Sequence, residues 1–136
     1  MKFDEIKIGD QASITKVITE EMIKTFAEIS GDTNPVHLDE EYAKESIFGE
    51  RIAHGILVTG LISNVMGCQL PGYGSIYISQ TVQFLRPVKI GDEITATIEI
   101  IDKDEKKGTV KCSTICKNQN NKMVIKGEAV GMPPKS

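Results

Sequence analysis

The chain has no tryptophan, few aromatic residues and only two histidines among its 136 residues. Its formal net charge of -3 provides no basic surface for a nucleic-acid backbone. No apolar run is long enough to cross a bilayer, and the N-terminal "MKFDEIKIGD" lacks the basic start and apolar stretch of a secretory signal. These absences argue against nucleic-acid and membrane partners, and they predict a cytoplasmic protein.

Cysteines are also scarce, and their spacing excludes the usual structural bonds. Cys112 and Cys116 stand four apart in a strand-like run, which separates them by about 13 Å. That is too far for a disulfide or a shared metal ion, and Cys68 stands alone in a helical pattern. We expect all three to be small apolar fillers in a reducing compartment. With two histidines and no suitably spaced partners, the sequence predicts no metal site.

Acidic residues are missing from one long segment, because residues 51–91 contain neither Asp nor Glu. Any acid that acts beside this segment must come from elsewhere, and the nearest supplier is "EISGDTNPVHLDEEYAKE" at 28–45. Burial of the segment would exclude acids equally well. The absence therefore directs attention to residues 28–45 without deciding their role.

Hydrophobic periodicity predicts an α+β fold in a single domain over residues 1–136, with no repeat or linker to divide it. A helix that is apolar on nearly all sides precedes a series of alternating strands, which predicts a curved antiparallel sheet wrapped around that buried helix. The predicted strands are 11–19, 74–88, 92–101, 108–116 and 122–130, and the predicted helices are 19–30, a short one capped by Asp39, and 54–72.

Asp32 and His37 are the first candidates for chemistry. Residues five apart could lie about 17 Å from each other in an extended chain, so their side chains meet only if the backbone turns. Gly31 and the Asn34-Pro35 step supply that turn. A carboxylate and an imidazole aimed at one point can bind a water and move its protons. A solvated loop with an incidental histidine has the same spacing, and spacing alone slightly favours it.

Gly55 is the second candidate, at the start of the apolar helix. Free N–H groups at a helix N-terminus attract developing negative charge, and the missing Cβ lets a carbonyl oxygen approach. Simple entry of the chain into the helix explains the glycine equally well. The neighbouring His54 is expected to be structural. Further along, Gly60, Ser63 and Gly67 form a small face that suits close packing or a ligand.

Taken together, these residues resemble a known signature. The segment "ISGDTNPVHLDEEYAKESIFGERIAHGIL" is similar to that of the MaoC-like, (R)-specific enoyl-CoA hydratases: an Asp-x-Asn-Pro-x-His segment followed by Ile-x-His-Gly. Downstream, "GSIYISQTVQFLRPVKIGD" resembles the family's strand that ends in Phe-x-x-Pro-Val-x-x-Gly-Asp. The resemblance runs from about Phe3 to Val130. It is strongest to the short, single-domain members that supply hydroxyacyl-CoA for polyhydroxyalkanoate synthesis.

The resemblance implies a hotdog fold and a specific division of labour. Asp32 and His37 would hold the water, one as general base and the other handling the proton at the α-carbon. The N–H of Gly55 would polarise the thioester carbonyl, Asn34 would orient the loop, and the Ser63 hydroxyl would support the site. Ile56, Leu57 and Arg86 are further substrate-binding candidates: the first two for the acyl tunnel and Arg86, with Arg51 and Lys89, for CoA phosphates.

The implied reaction is syn addition of water to a trans-2-enoyl-CoA, or its reversal from a 3-hydroxyacyl-CoA, without a cofactor. The resemblance also implies a homodimer with sites near the subunit contact. Two alternatives remain. A hotdog thioesterase commonly places a carboxylate on or beside the central helix, and this helix has none. A non-catalytic acyl-CoA-binding module would not need an acid–base pair. An acyl-carrier-protein substrate also stays open.

Overall fold

Six strands form one antiparallel sheet in the computed structural model, which describes residues 1–135. The strands are β1 (Gln11–Val17), β2 (Ile76–Gln80), β3 (Gln83–Phe84), β4 (Glu93–Asp104), β5 (Thr109–Lys117) and β6 (Met123–Met132). Their order is β1-β4-β5-β6-β2, and β3 also pairs with β6. The helices are a 3-10 turn at Phe3–Glu5, α1 (Glu20–Ser30), α2 (Pro35–Leu38), α3 (Glu40–Lys44) and α4 (Gly55–Cys68).

The helix α1 begins and ends where its sequence predicts. The hydroxyl of Thr19 accepts a hydrogen bond from the N–H of Met22 at 3.2 Å, so it satisfies one of the free amides of the first turn. At the other end Gly31 adopts a left-handed conformation with φ of 77°, which a glycine takes without strain. This turn sends the chain directly into the loop that carries Asp32.

The core lies between α4 and the concave face of the sheet. Strict alternation in β4 places Ile94, Ala96, Ile98 and Ile100 on the buried face, as predicted. From α4, one face contributes the buried residues Val58, Leu61, Ile62, Val65 and Met66. A continuous cluster of buried apolar side chains therefore fixes α4 against the sheet.

The opposite face of α4 corrects the expectation of a helix buried on all sides. Gly60, Ser63, Gly67 and Cys68 are exposed on the single chain, and Ile56 is largely exposed as well. The prediction that Cys68 fills the core is therefore wrong, whereas Cys112 and Cys116 are buried as expected. Burial raises the pKa of each of these two thiols to about 12.

One other local prediction differs from the structure. The strand expected over 74–88 is divided into β2 and β3, and an irregularity between Tyr77 and Ser79 interrupts its pairing with β6. The Asn34-Pro35 step agrees with its prediction, since Asn34 has a φ of -52° and a ψ of 122°, outside the helical region. Pro35 is then the first residue of α2, where its fixed φ and missing N–H are compatible with a helix. No helix within the described residues 1–135 is long and apolar enough to cross a membrane.

Candidate active site

The loop between α1 and α2 is bent by hydrogen bonds within its own sequence. The Asp32 carboxylate accepts from the N–H of Asn34 at 3.2 Å. The Asn34 side-chain oxygen in turn accepts from the N–H of Val36 at 3.2 Å and caps α2. Because α2 is a single turn that starts at once, His37 is carried back toward Asp32 instead of away from it.

His37 is held in one tautomer by a backbone carbonyl. Its side chain is buried, with 8% of the residue exposed, and Nδ1 lies 2.8 Å from the carbonyl oxygen of Ile52. A carbonyl can only accept, so Nδ1 donates and Nε2 carries the lone pair of a neutral imidazole. Burial lowers the pKa of His37, and the nearby His54 lowers it further. The ring is therefore suited to accept a proton at neutral pH.

The predicted pair meets, together with a third residue. One polar side-chain atom from each of Asp32, His37 and His54 lies within 4.8 Å of the others. The carboxylate side is exposed, whereas both imidazoles are buried. A carboxylate at the solvent edge and a neutral imidazole behind it can share one water molecule between them. This arrangement agrees with acid–base work on a bound water.

The same three residues also bear on the prediction of no metal site. One carboxylate and two imidazoles can ligate a metal ion, and the spacing of these residues in the sequence did not reveal that they lie together. The rings of His37 and His54, however, stack with centroids 3.8 Å apart and planes at 29°. Nδ1 of His37 and Nε2 of His54 are hydrogen-bonded to backbone carbonyls, so one nitrogen of each ring is left for a proton or an ion.

His54 contacts both members of the pair. Its Nε2 donates to the backbone carbonyl of Asp32 at 3.0 Å, and its ring lies between His37 and the ring of Phe26, 4.8 Å away. The expectation of a structural histidine did not foresee that it would anchor the loop of Asp32. The position of His54 in the Ile-x-His-Gly motif was the sequence feature that could have indicated a role in the site.

Arg51 is a second residue whose position the sequence did not reveal. The resemblance suggests Arg51 as a contact for CoA phosphates, but its Nε donates to the carbonyl of His37 at 2.8 Å and its Nη1 lies 2.7 Å from the carboxylate of Glu20. Only 10% of its side chain is exposed. The hydrogen bond and positive charge of Arg51 lower the pKa of Glu20. Arg51 is thus occupied inside the protein and is not free for a phosphate.

Gly55 is the first residue of α4, directly after His54. The N-cap residue His54 makes no side-chain hydrogen bond to the first turn, so no side-chain cap competes for its amides. A Cβ on Gly55 would lie 2.5 Å from two ring atoms of Phe84. Because Gly55 has no side chain, the Phe84 ring packs directly over the start of α4.

A cavity of about 400 Å³ opens beside the start of α4. Ile52, whose carbonyl accepts from His37, lines it together with Gly55, Ile56 and Arg86. The guanidinium of Arg86 also donates to the carbonyl of Met123 at 2.8 Å. The structure therefore brings Gly55, Ile56 and Arg86 to one cavity. Asp32 and His37 are not among its lining residues, and Ile52 connects it to His37.

Leu57 and Ser63 are not brought to that cavity. Leu57 lines a separate groove between β1 and α1, and Ser63 is exposed on the outer face of α4. Asn34 remains in the loop as the cap of α2. On the single chain, Ser63 could reach a substrate only if the substrate or a second subunit covers that outer face.

Comparison with known proteins identifies the family of this site. A model described as a MaoC like domain matches residues 5–122, a range that contains the complete cluster of Asp32, His37 and His54. The chain belongs to the MaoC-like family. Its sheet wrapped around α4 is the hotdog fold, as the sequence resemblance implied.

Three relatives from this family cover nearly the whole chain. It is 46% identical over 132 residues to the (R)-specific enoyl-CoA hydratase of Rhodospirillum rubrum, covering 97% of this chain and 91% of the relative. It is 41% identical over 132 residues to a mitochondrial 3-hydroxyacyl-(acyl-carrier-protein) dehydratase of Arabidopsis thaliana, covering 95% and 78% respectively. The unliganded R-hydratase PhaJ1 from Pseudomonas aeruginosa superposes with a TM-score of 0.94 at 44% identity, covering 99% of this chain and 86% of that one.

Proposed function

We propose that this MaoC-like protein is an (R)-specific enoyl-CoA hydratase, a hydro-lyase that also dehydrates 3-hydroxyacyl-CoA in reverse. The observation that carries the proposal is the meeting of Asp32 and His37 in one cluster, with Nδ1 of His37 committed to Ile52 and Nε2 left to act as a base. Relatives named as R-hydratases are 46% and 44% identical to this chain over almost its full length.

The reaction needs only the groups that this site assembles. The pair holds one water; one member takes a proton from it while the oxygen bonds to the β-carbon of the enoyl thioester. The electron pair of the double bond moves toward the thioester carbonyl. The base passes the proton that it took from the water to the other member of the pair, which delivers it to the α-carbon, so both groups return to their starting state. Because both elements of water come from one side, addition is syn.

The carbonyl oxygen gains negative charge during this step, and α4 offers the group to stabilise it. We propose that the N–H of Gly55, at the positive end of the helix dipole, donates to that oxygen. In well-studied oxyanion holes, loss of one donor costs about 10²–10³-fold in rate. The thioester would then lie in the cavity that Gly55 and Ile56 line.

The remaining substrate contacts follow from the positions of the other predicted residues. Arg86 lines the same cavity with an exposed side chain, which supports a role in holding CoA phosphates. Asn34 supports the site through the loop that it caps. The acyl chain is proposed to run along the exposed face of α4 past Ser63, whereas Leu57 lines the groove on the other side of the helix.

That exposed face supports a homodimer. The strand β2 lies at one end of the sheet and exposes Ile76, Tyr77 and Ile78, while the outer face of α4 exposes Ile56 and the small residues Gly60 and Ser63. An apolar edge strand and an uncovered apolar helix face are each an association surface. We propose that β2 pairs with β2 of a second copy. Sedimentation equilibrium should give a dimer for the wild type, and Ile78→Lys should shift it toward monomer.

For location, cofactor and domain organisation we propose what the sequence predicts. Three cysteines without a disulfide support a reducing, cytoplasmic environment. The reaction as written requires no redox carrier and no metal, so we propose that the enzyme works without a cofactor. One sheet and one continuous core over the described residues support a single domain.

Hydration of crotonyl-CoA tests the proposal. The absorbance of the conjugated thioester should fall without release of free thiol, and the product should be (R)-3-hydroxybutyryl-CoA. Free thiol would indicate a thioesterase, and binding without turnover would indicate a non-catalytic module; either result contradicts the proposal. Because the Arabidopsis relative is named for an acyl-carrier-protein substrate, crotonyl-(acyl-carrier-protein) should be measured in parallel. A much higher kcat/KM for that substrate would mean that the enzyme acts on acyl-carrier-protein thioesters instead of CoA thioesters.

A further inference from the structure

We propose that Arg51 is a positioning residue that fixes the orientation of His37, an inference that rests on the proposed hydratase function. Its guanidinium spans two elements: Nε donates to the carbonyl of His37 in α2 at 2.8 Å, and Nη1 pairs with Glu20 at the start of α1 at 2.7 Å. The helix that carries the base is thereby tied to a helix that is independently anchored in the core through Ile23 and Ala27.

The backbone beside Arg51 completes the support. The N–H of Ile52 donates to the carbonyl of Val36 at 3.3 Å, and the carbonyl of Ile52 accepts from Nδ1 of His37 at 2.8 Å. Three hydrogen bonds from residues 51–52 therefore converge on residues 36–37. Two of them hold the backbone on either side of the His37 Cα, and the third holds the ring in the tautomer that leaves Nε2 free. Among them, only the Arg51 bond is made by a side chain other than that of His37 itself, so it can be removed without altering the backbone or the base.

The way Arg51 is buried points to positioning instead of stability. Its Nη2 is buried and has no hydrogen-bond partner within the described part of the chain. An unpaired buried donor is unfavourable, and an apolar side chain of similar length would avoid that penalty. Glu20 is half exposed and also contacts Lys24 at 3.5 Å, so it does not depend on Arg51 for a partner. The residue is thus poorly explained by its contribution to folding and well explained by its contact with His37.

The consequence should be a loss of rate with little loss of substrate binding. Arg51 points its donors at α1 and α2 and does not line the cavity beside Gly55 in the described structure. A displacement of about 1 Å in a catalytic group can cost about 10²-fold in rate. Arg51→Met should therefore lower kcat for crotonyl-CoA by roughly 10- to 100-fold and change KM by less than about twofold. Arg51→Lys can replace only one of the two contacts and should lie between the wild type and Arg51→Met.

Two variants serve as controls. Lys24→Met removes the other cation of Glu20 but makes no contact with α2, so kcat should stay within about twofold of the wild type. Glu20→Gln keeps an oxygen that accepts from Nη1 and should cost much less than Arg51→Met. Thermal unfolding of each variant separates a misplaced base from a damaged fold.

Nitrogen-15 NMR of the histidine rings gives a readout independent of catalysis. The chain contains only two histidines, so both tautomers can be assigned directly. The wild type should show His37 protonated on Nδ1 and His54 on Nε2. In Arg51→Met the His37 signals should shift toward a mixture of tautomers while His54 keeps its own. Arg51→Lys provides the same readout if the Met variant fails to fold.

The outcomes separate this inference from the proposed function. If the wild type lacks hydratase activity, the proposed function fails, and the NMR comparison still tests the contact. If Arg51→Met keeps wild-type kcat and an unchanged His37 tautomer, the inference is overturned. It is equally overturned if kcat falls only in proportion to the unfolded fraction, since Arg51 is then merely structural.

Discussion

His37 and His54 stack face to face, with ring centroids 3.8 Å apart, yet they donate through opposite nitrogens. Nδ1 of His37 donates to Ile52, and Nε2 of His54 donates to Asp32. One imidazole is thereby fixed as a base with a free Nε2, and the other anchors the backbone of the catalytic carboxylate. Burial and the neighbouring His54 lower the pKa of His37, so that ring is neutral at neutral pH.

The activity should depend on the protonation of His37. Burial lowers its pKa below the ordinary value of 6.5, so the neutral ring predominates at neutral pH. As the pH falls through this lowered pKa, Nε2 is protonated and kcat/KM should decrease, with a plateau above about pH 6.5. At a pH between the lowered pKa of His37 in the folded protein and its ordinary pKa in the unfolded chain, the unfolded chain binds more protons than the folded one. Stability should therefore also be lost as the pH falls through that range.

A pH profile of kcat/KM, together with thermal unfolding over the same pH range, checks both expectations. In the His37→Asn variant the residual activity should lack this acid limb. An inflection in the wild type clearly above pH 6.5 would contradict the assignment of a buried, neutral base.

His54 should act through the loop of Asp32. In His54→Leu the carbonyl of Asp32 loses its donor, which should cost about 1–3 kcal/mol in the free energy of unfolding and at least about tenfold in kcat. In His54→Gln the amide nitrogen can still donate to that carbonyl, so more activity should remain. Equal losses in both variants would show that the stacked ring matters and the hydrogen bond does not. Steady-state kinetics and denaturant unfolding measure the two effects.

Gly55 combines packing and chemistry, and a double variant can separate them. In Gly55→Ala the new methyl group would lie 2.5 Å from the Phe84 ring, so the ring or the helix start must shift, with a cost to stability. The double variant Gly55→Ala/Phe84→Ala should lack this clash, so its Tm should be close to that of Phe84→Ala alone. If the Gly55 amide also binds the thioester oxygen, kcat should stay low in the double variant. Recovery of both Tm and kcat would reduce Gly55 to a packing residue.

The course of addition gives a prediction that does not require a variant. With one acid–base cluster on one side of the substrate, water should add to a single face of the double bond. Hydration of crotonyl-CoA in deuterated water should give the syn isotopomer, identified by NMR coupling constants of the product. The anti isotopomer would require proton donors on both faces, and the described site has its acid–base cluster at one place only.

Much of this architecture could be predicted because its causes are local in sequence. Thr19 and Gly31 bound α1 by capping and left-handed geometry, and strict alternation identified β4. The Asp32–His37 pair was inferred from a motif and a turn. The turn is in fact a capped helix at Pro35, since proline suits a first helical position as well as an extended one.

What the sequence did not reveal depends on contacts between distant segments. Arg51 faces His37 and Glu20, 14 and 31 residues away, and no periodicity indicates such a pairing. His54 reaches Asp32 across 22 residues for the same reason. The composition of α4 predicts burial on nearly all sides, but its outer face is exposed on the single chain. Periodicity detects an apolar face but does not tell which surface covers it.

The central claim is that Asp32 and His37 act as a unit on one water. Its most direct test is a double-variant cycle with crotonyl-CoA, using His37→Asn, whose amide can still donate to Ile52, and Asp32→Asn, whose oxygen can still accept from Asn34. Each single variant should lose about 10²–10⁴-fold in kcat without a large change in Tm. Groups that share one water should give a double variant hardly worse than either single one. Losses that multiply would instead mean that the two residues act independently, and the account would be wrong.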